Sequence, residues 1–131
     1  MDAKGRMFIP ARLRDELGDA FYITKGLDNC LSIYSLGTWA SIEEKISALP
    51  LSKSRGLQRT LFASAAYCEL DSQGRALVPQ KLRQYAGLVR EVTVIGVSNR
   101  AEIWDSERWR KVELDDLTSE NLAESMEELG F

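Results

Sequence analysis

Asp2-Ala3-Lys4-Gly5-Arg6 returns as Asp71-Ser72-Gln73-Gly74-Arg75, 69 residues further along the chain. Each copy leads at the same distance into an apolar residue and a proline (Ile9-Pro10, Val78-Pro79), then Leu-Arg (Leu13-Arg14, Leu82-Arg83), then a glycine (Gly18, Gly87). After a one-residue slip the match resumes, pairing Gly26 with Gly96, Asn29 with Asn99, Ile33 with Ile103, Tyr34 with Trp104 and Trp39 with Trp109. A tandem repeat of about forty residues is too small to bury its apolar face alone, so the two halves are expected to fold against each other.

Asp-x-x-x-Arg with glycine before the arginine reads as a turn. The aspartate side chain can accept from backbone amides two residues on, and glycine tolerates positive φ. Read this way, Asp2, Gly5, Asp71 and Gly74 form the turns, while Arg6 and Arg75 project from them. Around each turn the charge is locally basic. Met1–Arg14 holds Lys4, Arg6, Arg12 and Arg14 against Asp2, and Asp71–Arg90 holds Arg75, Lys81, Arg83 and Arg90 against Asp71. The net charge of −3 hides this, because Glu113–Phe131 contains seven acids and no base, leaving residues 1–112 at +4. Nucleic acid responds to the local field, so a negative total does not exclude it.

These paired motifs resemble the MraZ family of bacterial transcriptional regulators, built from two AbrB-like (SpoVT/AbrB) swapped-hairpin domains with a D-x-x-x-R element in each half. The likeness covers nearly the whole chain. It implies an α+β fold in which two β-α-β units form one pseudo-symmetric, β-barrel-like core with flanking helices. The units would be residues 1–41 and 65–108, joined by a helical connector, 42–64, and followed by an acidic helical segment, 109–131. It also implies a strand before the first turn. Since Met1 alone precedes Asp2 whereas Ala65–Leu70 precedes Asp71, the first half is expected to lack its opening strand, through trimming or a late-assigned start.

Functionally the resemblance implies sequence-specific binding of double-stranded promoter DNA, at tandem repeats upstream of the division and cell-wall gene cluster, including the protein's own promoter. The partner would otherwise be itself, in a ring-shaped homo-oligomer such as an octamer, and the location the cytoplasm and nucleoid. Lys4, Arg6 and Arg75 are the implied contacts. Gln73 replaces the Lys4 cation in the second copy but could hydrogen-bond an adenine edge. Arg14 and Arg83 are secondary, since either could instead pair with a carboxylate. Asp2 and Asp71 would be repelled by phosphate and read as turn-makers. The alternative is a protein-interaction module, an antitoxin-like swapped-hairpin domain whose acidic tail holds a partner.

Chemistry offers little else. There is no histidine, no nucleophile paired with a base, and no metal-ligand spacing, so an enzyme, a cofactor and a metal site are not expected. Cys30 and Cys68 lie far apart in apolar surroundings and read as buried hydrophobes.

The remaining periodicities predict helices over 11–17 and 80–86 opened by Pro10 and Pro79, and hairpins around 25–29 and 96–100. They also predict a helix from Thr38 to Leu49, one capped by Ser52 and running to Ala63, and one capped by Ser106. A last helix should start at Thr118-Ser119 with Leu122, Met126 and Leu129 turned inward.

Overall fold

The computed structural model describes the whole chain, Met1–Phe131. The first repeat comprises β1 (Arg6–Phe8), α1 (Ala11–Leu17), β2 (Ala20–Lys25), β3 (Leu31–Ser35) and α2 (Leu36–Ser47). A connector follows as α3 (Leu51–Leu57) and a π turn (Gln58–Phe62). The second repeat runs through β4 (Ala66–Glu69), β5 (Arg75–Leu77), α4 (Gln80–Ala86), β6 (Val92–Val97), β7 (Arg100–Asp105) and α5 (Ser106–Thr118), with α6 (Glu120–Glu128) last.

The halves exchange strands. β1 pairs antiparallel with β5, β2 of the first half pairs with β4 of the second, and β3 pairs with β7. Two sheets result, the ribbon β1-β5 and a five-stranded sheet ordered β4-β2-β3-β7-β6. The α+β class and the two repeats are thus as read from sequence, but the barrel-like core is not: the sheets do not join into a closed barrel. β1 and β5 are only three residues long because Pro10 and Pro79, two residues past each strand, have no N–H to donate to a ladder. Between the sheets lies one core, with Met7, Ile9, Phe21, Ile23, Ile33, Val78, Leu82 and Ile103 drawn from both halves.

The pseudo-symmetry is uneven at the sheet's ends. β2 is flanked by β4, and its Phe21 and Ile23 are fully buried; β6 is an edge, and its Val92 and Val94 are half-exposed. The Met1 ammonium donates to the Arg90 carbonyl (2.7 Å), just as the Leu70 N–H donates to the Asp19 carbonyl (2.9 Å).

Several helix starts differ from the sequence reading. α2 begins at Leu36, where the Ser35 hydroxyl accepts the Thr38 N–H at 3.2 Å. Pro50, not Ser52, precedes α3, while the helical backbone does run on as expected, through the π segment Gln58–Phe62 to Ala63. Asp105 takes the capping role expected of Ser106, its carboxylate accepting the Arg108 N–H at 3.1 Å; the Ser106 hydroxyl is bonded to Thr93 Oγ1 instead, at 2.7 Å. Ser119 caps α6 as expected. Leu122, Met126 and Leu129 do not face inward: they are 39%, 44% and 76% exposed. Both cysteines are free and buried, and burial pushes the Cys30 thiol up to about 12. No helix is long and apolar enough to cross a membrane.

Candidate nucleic-acid interface

The two turns share one hydrogen-bond pattern. In the first, Asp2 N–H donates to the Arg6 carbonyl (2.9 Å) and Gly5 N–H to the Asp2 carbonyl (3.1 Å). Asp2 Oδ1 accepts the N–H groups of Lys4 (3.0 Å) and Arg6 (2.9 Å), and Oδ2 accepts Arg6 Nε–H at 2.7 Å. In the second, Asp71 N–H donates to the Arg75 carbonyl (2.9 Å) and Gly74 N–H to the Asp71 carbonyl (2.9 Å). Asp71 Oδ1 accepts from Gln73 and Arg75, both at 2.9 Å, and Oδ2 accepts Arg75 Nε–H at 2.8 Å. Asp2 and Asp71 thus wire the two turns, with Gly5 and Gly74 at positive φ within them. Each carboxylate satisfies three donors, and each arginine is fixed through Nε while its Nη groups bond nothing else in the chain.

That wiring holds both carboxyls below the usual 3.8, chiefly through the backbone N–H of the arginine four residues on. A depressed folded pKa contributes stability above the unfolded value and loses it as pH falls through the folded one. The melting temperature of the wild type is therefore expected to exceed that of Asp2→Asn/Asp71→Asn at neutral pH. The gap should close as the solution is acidified below about 4, as a thermal melt at stepped pH would record.

The ribbon sets where the turns point. Its register places Arg6 opposite Leu77 and Phe8 opposite Arg75, with Met7 opposite Ala76 on the pseudo-two-fold. Because strand residues alternate faces, Arg6, Phe8, Arg75 and Leu77 share one side and Met7 and Ala76 the other. The second side is buried; on the first, Phe8 and Leu77 are 65% and 55% exposed. The two arginines start their strands from opposite ends, roughly 7 Å apart along the ribbon. Lys4 and Gln73 are exposed at the turn tips.

Arg14 and Arg83 do something the sequence did not suggest. Neither pairs with a carboxylate. Each lies against the other half's turn: a Cβ built on Gly5 would stand 2.6 Å from Arg83 Nε, and one on Gly74 would stand 2.6 Å from Arg14 Nη1. Arg83 Nε also donates to the Val78 carbonyl at 3.0 Å. Both are half-buried and act as buttresses behind the turns; Arg6 and Arg75 are themselves partly covered, their side chains 37% and 22% exposed. Phe8 and Leu77 were missed, although the alternation Arg6-Met7-Phe8 already puts Phe8 beside Arg6.

Fold and site together define a strand-exchanged tandem repeat that presents one two-stranded ribbon, framed by two identically built turns, on its surface. The chain belongs to the MraZ family, whose model, described as "MraZ protein, putative antitoxin-like", matches residues 1–59 and 61–129. It is 51% identical over its full length to the transcriptional regulator MraZ of Caldicellulosiruptor saccharolyticus, covering 94% of that protein. The protein of that name from Acetivibrio thermocellus is 48% identical with the same coverage. That of Carboxydothermus hydrogenoformans is 55% identical over 83% of this chain and 78% of its own length.

Proposed function

We propose that this chain is a regulator that reads double-stranded promoter DNA in sequence-specific fashion through the β1-β5 ribbon. Its targets are tandem repeats upstream of the division and cell-wall gene cluster, its own promoter among them. One observation carries the reading: two turns of identical wiring fix the Nε of Arg6 and Arg75 and leave both Nη groups of each without a partner in the chain. The paired Nη edge is what recognises guanine O6 and N7, and a major groove admits a two-stranded ribbon. Because Asp2 and Asp71 already hold the guanidinium groups, little side-chain entropy remains to be lost on binding. Phe8 and Leu77, beside the arginines, are placed to meet thymine methyl groups or sugars.

Lys4 is a phosphate contact and Gln73 a neutral one, so the halves contribute unequally. With so few cations a single subunit binds weakly; a ring of copies, each engaging one repeat, gains through effective concentration. In titrations of a fluorescent promoter duplex at stepped salt, Lys4→Ala is expected to weaken all sequences alike. Its log–log salt slope should be shallower by roughly one per bound subunit. An unchanged slope would remove Lys4 from the interface.

A further inference from the structure

An open groove of about 810 Å³ lies between the end of the connector and α4, a size that suits a small molecule. Ala63, Ala66 and Leu82 form its apolar lining, and Lys25, Arg59 and Lys81 its charge; no acid lines it. None of the three cations is paired, since the ion pairs of the chain all lie elsewhere. A cleft walled by charge of one sign focuses its field and gains by taking up an anion.

The walls are held in place. One is the π segment Gln58–Phe62, a rare backbone form frequent at functional sites. It carries the exposed Arg59, and Thr24 Oγ1 ties it to β2 by donating to the Leu61 carbonyl at 2.7 Å. On the α4 side the Tyr85 hydroxyl donates to the Gly26 carbonyl at 2.7 Å, and Lys25 Nζ stands 5.1 Å from the centre of the Tyr85 ring. Lys25 is thus steadied by an aromatic face and not by a carboxylate, which leaves its charge uncompensated.

The repeat supplies an internal comparison. In its register Lys25, Lys81, Gln84 and Tyr85 correspond to Ile95, Arg12, Asp15 and Glu16. These four positions carry +2 at the groove and −1 at their counterparts. The turns are wired alike in both halves, yet here the halves differ in the sign of their charge.

We infer that the groove binds a small molecule with a diphosphate end, held by Lys25, Arg59 and Lys81. A single carboxylate is too little charge for three cations, whereas a diphosphate brings several charges and the acceptor oxygens that Arg and Lys recognise. The exposed amides of Gln80 and Gln84 and the apolar lining are left for the rest of the ligand. No residue of the ribbon or its turns lines the groove, so the inference does not rest on the reading of DNA.

Isothermal titration calorimetry of inorganic pyrophosphate into the full chain, without DNA, tests it. Pyrophosphate is expected to bind at one per chain, and more tightly than malonate, a dicarboxylate of similar size. Lys25→Gln and Lys81→Gln should each weaken it about tenfold, the loss of one charge-assisted hydrogen bond. Gln84→Asp, which gives the groove the acid its counterpart carries, should abolish measurable binding. Lys45→Gln/Lys53→Gln removes two cations outside the groove and should bind like the wild type; circular dichroism checks that each variant melts normally. Absence of binding to the wild type would overturn the inference. So would malonate binding as tightly as pyrophosphate, Gln84→Asp retaining full affinity, or Lys45→Gln/Lys53→Gln losing as much as the groove variants, which would show only a general attraction of polyanions.

Discussion

Replacing Arg6 or Arg75 by alanine is expected to cost about 1–3 kcal/mol of affinity for the cognate repeat, and to relax discrimination against mismatched bases. The folded chain should barely notice. The Nε link to Asp2 or Asp71 is a partly exposed ion pair, a class worth at most ~1 kcal/mol, and the backbone part of each turn survives the change. Arg→Lys at either site should fall close to alanine in specificity, because an ammonium cannot offer the paired donors of a guanidinium. Fluorescence titration of cognate and scrambled duplexes, run beside thermal melts, reads both quantities. Full affinity with lowered melting would mean that the arginines only close their turns, and the ribbon would cease to be the reading surface.

The other large effect concerns the glycines behind those arginines. Gly5 and Gly74 have φ of +87 and +77, a region that costs an L-residue about 1–2 kcal/mol. An added methyl also meets a neighbour, and overpacking costs about 1–3 kcal/mol more. Each alanine variant is therefore expected to lose about 2–5 kcal/mol in urea unfolding, with Gly5→Ala the worse. Its Cβ would stand 2.8 Å from the Val78 carbonyl oxygen as well as against Arg83, whereas Gly74 faces only the end of Arg14. Pairing Gly74→Ala with Arg14→Ala should restore the overpacking share and leave the backbone share, a coupling that a double-mutant cycle measures. Pairing Gly5→Ala with Arg83→Ala should restore less, since the carbonyl stays. If Gly74→Ala costs the same with and without Arg14, the two halves are not coupled through their turns.

Local chemistry made much of this fold legible. An aspartate, a glycine and an arginine at fixed spacing specify a turn within five residues, and Pro10 and Pro79 announce α1 and α4 after the short strands that follow it. The π turn after Leu57 and the substitution of Asp105 for Ser106 as a cap turn on which neighbour wins a given hydrogen bond, and propensity does not rank those contests. Least legible was everything that crosses between halves. The ribbon joins two three-residue strands whose partners lie far apart in sequence, and strands so short carry no pairing signal of their own. The sequence therefore showed Arg14 and Arg83 as further cations near DNA, when packing across the pseudo-two-fold turns each against the opposite turn's glycine. Helical spacing in α6 was read as a buried face, although spacing says only that a face exists, not what meets it.

Position three of each turn enters the wiring through its N–H alone: Lys4 and Gln73 both donate to a carboxylate oxygen, and both side chains point to solvent. Any residue other than proline can supply that donor. The two halves differ here, Lys4 against Gln73, as they do at the preceding position, Ala3 against Ser72, while the turn is wired identically. The frame of aspartate, glycine and arginine is the same in both halves, so a change at the third position alters what a turn presents to its surroundings without touching how the turn is held.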